Sequence, residues 1–324
     1  MLSKKWLRRT AQSSAAGVVL GVVSILPLPA ARALGRAMGR IGNLVSPSSV
    51  RRAREHLAIS LGATRSERAI RRIASSVLPT LCAQICELLV LQRRGLARIL
   101  ATVEIEGLEE FRRKVEAGLA RGHGMIGVSG HYGHWDLTAA LFTWCCRGDA
   151  ICVARRYEHE GYQRLIDGVR RRLGVQLRSQ EESLAPVLRL LLRGGALGLL
   201  PDQDFKQIHD GIFVEFLGRP AYTTTLPAEL ALRTGAALIV ATTHREGDRL
   251  IVRSSELALP ESFRAHPDPV RTLTEWWSGE LEGRIRAHPA QWVWLHRRWR
   301  TTPDRLEYRA LRRREREARR RPAG

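Results

Sequence analysis

The chain has 324 residues, 44% of them apolar, and carries 53 Lys and Arg against 32 Asp and Glu for a net charge of +21. That length suits one large domain, here expected with a helical N-terminal arm, and the charge points to anionic partners: phospholipid surfaces, nucleic acid, phosphorylated glycans or an acidic carrier protein. The five cysteines, Cys82, Cys86, Cys145, Cys146 and Cys152, are odd in number, form no C-x-x-C pair and lie in apolar surroundings, which argues for buried thiols in a reducing compartment and against a secreted disulfide protein.

At the N-terminus, Lys4, Lys5, Arg8 and Arg9 precede an uncharged stretch from Thr10 to Ala31. As a helix it would extend about 33 Å, against about 30 Å for a bilayer core. Only Gly17 to Leu28 is strongly apolar, Pro27 and Pro29 interrupt its end, and Arg32, Arg36 and Arg40 follow, so charge does not fix an orientation. No small-residue cleavage pattern marks a signal peptide. A membrane anchor or interfacial helix is expected, with a buried helix as the alternative.

Ser46-Pro47 starts a helix, and Ser66 starts another that runs through Ile70, Ile73, Val77, Leu81, Ile85 and Leu89. Val103 to Gly107 alternates like a strand, and Leu108 to Leu119 reads as a helix. Strands and helices then alternate. Strands are expected at Gly124–Ser129, Ala150–Ala154, Val175–Leu177, Ala196–Leu200, Ala237–Thr243 and Arg249–Arg253. Helices are expected at Trp135–Cys146, Gly161–Leu173, Glu182–Arg193, Pro227–Arg233 and Pro269–Ala287. The pattern predicts an α/β fold, a mixed, largely parallel central sheet flanked by helices, with an antiparallel edge. The expected division is a membrane-anchoring segment over 1–45, a catalytic domain over 46–305 and a basic tail over 306–324, in which Arg312 to Arg321 holds seven arginines and two glutamates.

Chemistry concentrates in SGHYGHWDLTAAL, Ser129 to Leu141, between a strand and a helix. Such junctions lie at open sheet edges, where α/β proteins keep their sites. His131 and Asp136 are five residues apart, which on one ideal helix would point them about 140° away from each other. They meet only if His131 lies in the turn and Asp136 in the first helical turn, which Gly130 and Gly133 would permit. A histidine held by a carboxylate can take a proton from an alcohol, as acyl transfer to a hydroxyl requires. Metal ligation by His131, His134 and Asp136 is the weaker reading, since the spacing is not that of a helical zinc motif. Ser129 lacks the glycine two residues on that a nucleophile elbow needs, and no phosphate-binding loop accompanies Asp202.

Four motifs in order give the chain a resemblance: GVSGHYGHWD at Gly127 to Asp136, the RRRLG segment from Arg170, LGLLPDQD with GIFVEFLGRPAYTTT between Leu197 and Thr225, and WVWLHRRWRTTP from Trp292 to Pro303. It resembles the bacterial lipid A late acyltransferases, the lauroyl and myristoyl transferases of lipopolysaccharide synthesis, a family that also acylates other glycolipids. The resemblance runs from the N-terminal apolar segment to about Pro303 and implies a core like that of the glycerol-phosphate acyltransferases.

By position, the resemblance makes His131 the general base and Asp136 its partner, shorter than the glutamate the family also uses and so expected to sit closer. Arg170 matches an arginine associated with activity, placed to hold a phosphate or an oxyanion or to be a plain surface charge. Asp202 matches the acid of the P-D-x-D motif, orienting a basic residue or touching substrate, with Gln203 and Asp204 beside it as substrate-binding residues. Thr223 and Thr224, ahead of a helix N-terminus, suit a phosphate or serve simply as caps. Trp292, Trp294 and Trp299 among Arg297, Arg298 and Arg300 suit a headgroup interface, a core, or stacking on single-stranded nucleic acid, for which no binding signature is present. His134 departs from the family, which commonly has asparagine there.

The implied activity is transfer of a fatty acyl chain from an acyl thioester, carried on acyl carrier protein, to a hydroxyl of a lipid A precursor or related glycolipid. It would occur at an anionic bacterial inner membrane with the catalytic domain facing the cytoplasm, with no metal or redox cofactor and no nucleic-acid partner. An esterase or thioesterase on the same fold, an acyltransferase for a non-lipid-A acceptor and a non-catalytic membrane or nucleic-acid binder are the alternatives.

Overall fold

A computed structural model describes residues 17, 21–156, 160–204, 211–258 and 265–305, the side chain of Tyr162 excepted. Much of the expected N-terminal apolar stretch and the whole 306–324 tail lie outside the described residues.

Three helices come first: α1 (Leu28–Val45), α2 (Pro47–Leu61) and α3 (Glu67–Arg94). Ser66 caps α3 by accepting from the Ala69 amide at 3.3 Å, with Glu67 in its first turn and Arg93 and Arg94 in its last, each charge placed favourably against the helix dipole. Gly35 and Gly39 lay α1 directly on α3. A Cβ on Gly39 would come 2.3 Å from the Cα of Pro79, and one on Gly35 2.5 Å from the Cys82 carbonyl oxygen. The far side of α1 stays uncovered: Leu34, Met38, Ile41, Leu44 and Val45 are exposed, the last two at 81% and 76%. By length and composition α3 is the one helix among the described residues able to cross a membrane, yet half of its apolar window is buried inside the protein.

After α4 (Leu96–Thr102), the chain builds a seven-stranded sheet from β1 (Ile105–Glu106), β2 (Met125–Val128), β3 (Ala150–Ala154), β4 (Leu177–Ser179), β5 (Ala196–Leu199), β8 (Ala237–Glu246) and β9 (Arg249–Leu257). Its order is β1-β9-β8-β2-β5-β3-β4. Every neighbouring pair is parallel except β8–β9, so β9 and β1 form the antiparallel edge. Strand parity divides the core. Met125, Ala237, Ile239 and Ala241 face one way, onto α5 (Leu108–Leu119) and α6 (Trp135–Cys145) through Phe111, Val115, Leu141 and Phe142. Ile126, Val128, Leu238 and Val240 face the other, onto α8 (Ala185–Leu192), α9 (Leu226–Thr234) and α10 (Pro269–Ala287) through Val187, Leu191, Leu230, Leu273 and Trp277. Both faces being covered, β2 and β5 are buried at all four residues and read as unbroken apolar runs.

Several expected elements coincide with observed ones, including β3, α5 and α10. The fourth strand lies two residues later than expected, at β4, and α7 (Glu160–Arg172) precedes it. The antiparallel hairpin of β6 (Gly211–Phe216) and β7 (Arg219–Thr224) was not anticipated. Its two-residue turn has positive φ at both Leu217 (55°) and Gly218 (79°), the geometry that closes a twisted hairpin.

Candidate active site

The register of the two central strands sets the site. Val128 of β2 and Leu199 of β5 are partners across the ladder, and the Ser129 amide donates to the Leu199 carbonyl at 2.9 Å. Three residues beyond each partner lie His131 and Asp202. From β2 the chain crosses over β5 to β3, whereas after β5 it passes β2 to reach β8. The two loops therefore diverge and open a crevice at the carboxyl ends of the strands.

Asp202 is buried in that crevice and accepts three hydrogen bonds at 2.8 Å: from the His131 amide, from His131 Nδ1 and from the indole Nε1 of Trp292. Burial alone would push its carboxyl up, but the charge and hydrogen bond of His131, then Trp292 and the His131 amide, hold it below the usual range. An ionised carboxylate only accepts, so Nδ1 of a neutral His131 carries the proton and Nε2 keeps its lone pair. Burial lowers the affinity of His131 for a second proton, while Asp202, and secondarily Asp136, outweigh it and leave the imidazole more basic than usual. The His131 side chain is 27% exposed.

Two glycines make the turn. A Cβ on Gly130 would sit 3.1 Å from Asp202 Oδ2, and one on Gly133, at φ 58°, only 2.1 Å from the Thr243 carbonyl oxygen. That close approach lets the His134 amide donate to Thr243 O at 2.7 Å and the Gly133 amide to Gln291 O at 2.9 Å, which anchors the loop on both sides.

The carboxylate on His131 Nδ1 is thus Asp202, 71 residues away, and not the expected Asp136. Asp136 does lie in the first turn of α6, but it accepts from Arg170 Nε at 2.7 Å, and both side chains are about 15% exposed. His134 turns away from the crevice: its Nε2 lies 3.3 Å from Glu87 of α3, each side chain 1% exposed, and Arg245 binds the same carboxylate. Burial opposes ionisation of Glu87, yet His134 and Arg245 bring it down to about 2. The three residues considered as metal ligands, His131, His134 and Asp136, thus face three different partners.

Other expected contacts resolve differently. Asp204 accepts from the Thr301 amide at 2.7 Å and from its hydroxyl at 3.0 Å, and its own amide donates to His296 Nε2 at 3.1 Å. Thr223 is fully buried beneath Arg298, which donates to it and to the Tyr222 carbonyl. Thr224 accepts from the Leu226 amide at 3.2 Å and Thr225 donates to Glu229 at 2.6 Å, so both hydroxyls already have partners at the start of α9. Gln203 is half-buried beside Asp202, and Arg297 is exposed. It lines an open basic pocket with Arg51, Arg52, Arg300 and Arg305, against one acid, Glu55. Trp292 and Trp294 are core residues, not interface ones. That Trp292 serves the site was missed, its only signal being an indole N–H, a donor that needs a buried acceptor.

Near the pair, a half-open apolar cavity lies between the sheet and α6. Ser129, Trp135, Asp136 and Arg170 belong to its wall, and Phe142, Cys152, Val175, Leu177 and Ala241 line its apolar length. From Trp135 to Phe142 it follows about 10 Å of helix. Burial pushes the Cys152 thiol of this wall up to about 11 and the core thiol of Cys145 up to about 12, so neither is a nucleophile.

Residues 3–301 match the family profile described as bacterial lipid A biosynthesis acyltransferase. The phosphatidylinositol mannoside acyltransferase of Mycobacterium tuberculosis (strain ATCC 25618 / H37Rv) is 31% identical over 221 residues, 67% of this chain and 66% of that one, a little under two thirds of its length. The lipid A biosynthesis lauroyltransferase of Escherichia coli (strain K12) is 30% identical over 128 residues, 38% of this chain and 40% of that one. The palmitoleoyltransferase of the same strain is 22% identical over 212 residues, 64% of each chain. With nearly its whole length under one profile, the chain belongs to the bacterial lipid A biosynthesis acyltransferase family.

Proposed function

We propose that this protein is an O-acyltransferase that moves a fatty acyl chain from a thioester, carried on acyl carrier protein, to a hydroxyl of a glycolipid. The observation that carries the reading is the meeting of a basic histidine, with Nε2 left for a proton, and an apolar cavity lined by its neighbours Ser129, Trp135 and Asp136. The cavity takes the acyl chain. His131 Nε2 removes the acceptor hydroxyl proton as the oxygen attacks the thioester carbonyl carbon. The tetrahedral intermediate collapses, the carbon–sulfur bond breaks, and the imidazolium returns its proton to the departing thiolate. Asp202 stabilises that imidazolium and fixes the tautomer; Arg170, held by Asp136 on the cavity wall, stabilises the developing oxyanion.

Arg297 and its neighbouring arginines suit the anionic part of the acceptor or of the carrier. The uncovered stripe on α1, flanked by exposed Arg36 and Arg40, suits the surface of an anionic membrane. We assign the protein on these grounds to the cytoplasmic face of the bacterial inner membrane. Purified protein given radiolabelled acyl carrier protein and membrane glycolipid tests the assignment. Label should move to lipid; label released only as free acid would make it a thioesterase, and label left on the carrier would overturn the reading.

A further inference from the structure

At the end of β8, His244 and Glu246 are two residues apart and so share one face of the strand. His288, the C-terminal cap of α10, reaches the same point. The Oε1 oxygen of Glu246 lies 3.2 Å from His244 Nε2 and 3.1 Å from His288 Nε2, and the three atoms all fall within 4.8 Å of one another. Zinc bonds of 2.0–2.1 Å at tetrahedral angles put neighbouring ligand atoms about 3.4 Å apart. Two of the three edges already match that spacing. The second carboxylate oxygen, Oε2, is held by Arg249 at 3.3 Å, the outer contact that orients a ligating carboxylate.

We infer that His244, Glu246 and His288 form a binding site for a divalent transition cation of the zinc type, with a fourth position open to solvent. Two imidazoles and one carboxylate suit such a cation and do not suit magnesium or calcium, which take oxygen shells. None of the three residues lines the apolar cavity beside α6. His244 packs against Tyr132, ring centroids 5.7 Å apart, directly beside His131. His288 opens the turn whose Gln291 carbonyl anchors Gly133 and whose Trp292 holds Asp202. Ligation would therefore tie the β8 terminus to the segment that fixes the catalytic pair, without touching the reacting atoms, and the inference stands or falls apart from the acyl-transfer reading.

The full chain, stripped with chelator and titrated with zinc chloride, tests it by bound-metal analysis and thermal unfolding. Wild type should retain about one zinc per chain and melt on the order of 5 °C higher at saturating zinc. His288→Ala and Glu246→Gln should lose both effects, while His123→Ala, in an exposed turn, keeps them. Cobalt in place of zinc should give a tetrahedral visible spectrum without a thiolate charge-transfer band. Two imidazole N–H groups shared by one carboxylate would give the same distances without a cation, and then no zinc is retained. That result, zinc binding unchanged in His288→Ala, or a thiolate band, would overturn the inference.

Discussion

Three residues apart in one loop, His131 and His134 each meet a buried carboxylate, and the two pairs have different physics. His131 leans on Asp202 through Nδ1 and keeps its side chain 27% exposed, and its imidazole is made more basic by that neighbour. His134 faces Glu87 in a space sealed on all sides, and Arg245 shares the carboxylate. A histidine–carboxylate pair is thus chemistry or scaffold according to access and to a third charge. With an arginine beside it and no exposure, the pair joins α3 to β8; with an indole beside it and a partly exposed ring, it is poised to move a proton.

The sharpest way to break this contrast is to remove each ring. His131→Ala should lower acyl transfer by roughly 10²- to 10⁴-fold, the usual worth of a general base, in a chain that still folds but melts lower, because buried Asp202 loses its Nδ1 partner. Near-normal turnover would end the assignment of His131 as base.

Asp202→Asn comes next. The amide keeps the volume but offers its own N–H to Nδ1, which forces the proton to Nε2 and removes the lone pair, so the rate should fall on the order of 100-fold. A general base works only when neutral, and Asp202 raises the pH at which His131 becomes so. In wild type the acid limb of kcat/KM should therefore lie above the ordinary histidine value of 6.5 and move to lower pH in the variant. An acid limb that stays in place would separate Asp202 from His131.

The order of strands and helices could be read from the sequence because burial on both faces leaves unbroken apolar runs, as in β2 and β5, and because caps such as Ser66 and Asp268 are local signals. His131 could be found for the same reason, as the histidine just past a buried strand. Its partner could not be read directly. Asp202 reaches it only through the β2–β5 register, and register between strands about 70 residues apart leaves no periodic trace. The nearer acid, Asp136, occupied the expected turn but was captured by Arg170, from a helix whose packing the sequence does not announce. The tryptophans looked amphipathic, and only the fold shows that Trp292 spends its N–H on Asp202. The β6–β7 hairpin hid because its turn begins with Leu217, a residue type that rarely takes positive φ, here buried with its amide donating to Glu282 at 2.7 Å.

The smallest expected effect sharpens the other half of the contrast. His134→Asn, the residue common in the family, removes one of the two groups that keep Glu87 ionised, while Arg245 remains. Turnover should stay within a few-fold of wild type, since neither His134 nor Glu87 belongs to the crevice. Stability should change with pH instead. A carboxylate held near 2 in the folded protein, against 4.5 for a free glutamate, contributes stability that is complete above about 4.5 and lost as pH falls toward about 2. Losing His134 raises the folded value toward 4.5, so the variant gives up part of that stability at neutral pH, on the order of 1 kcal/mol, and less of it as pH falls. Thermal unfolding of both proteins from pH 7 to pH 3 should show melting temperatures that converge on acidification. A constant gap would mean that His134 acts through packing and not through the charge of Glu87, and a large loss of turnover would move His134 from scaffold to site.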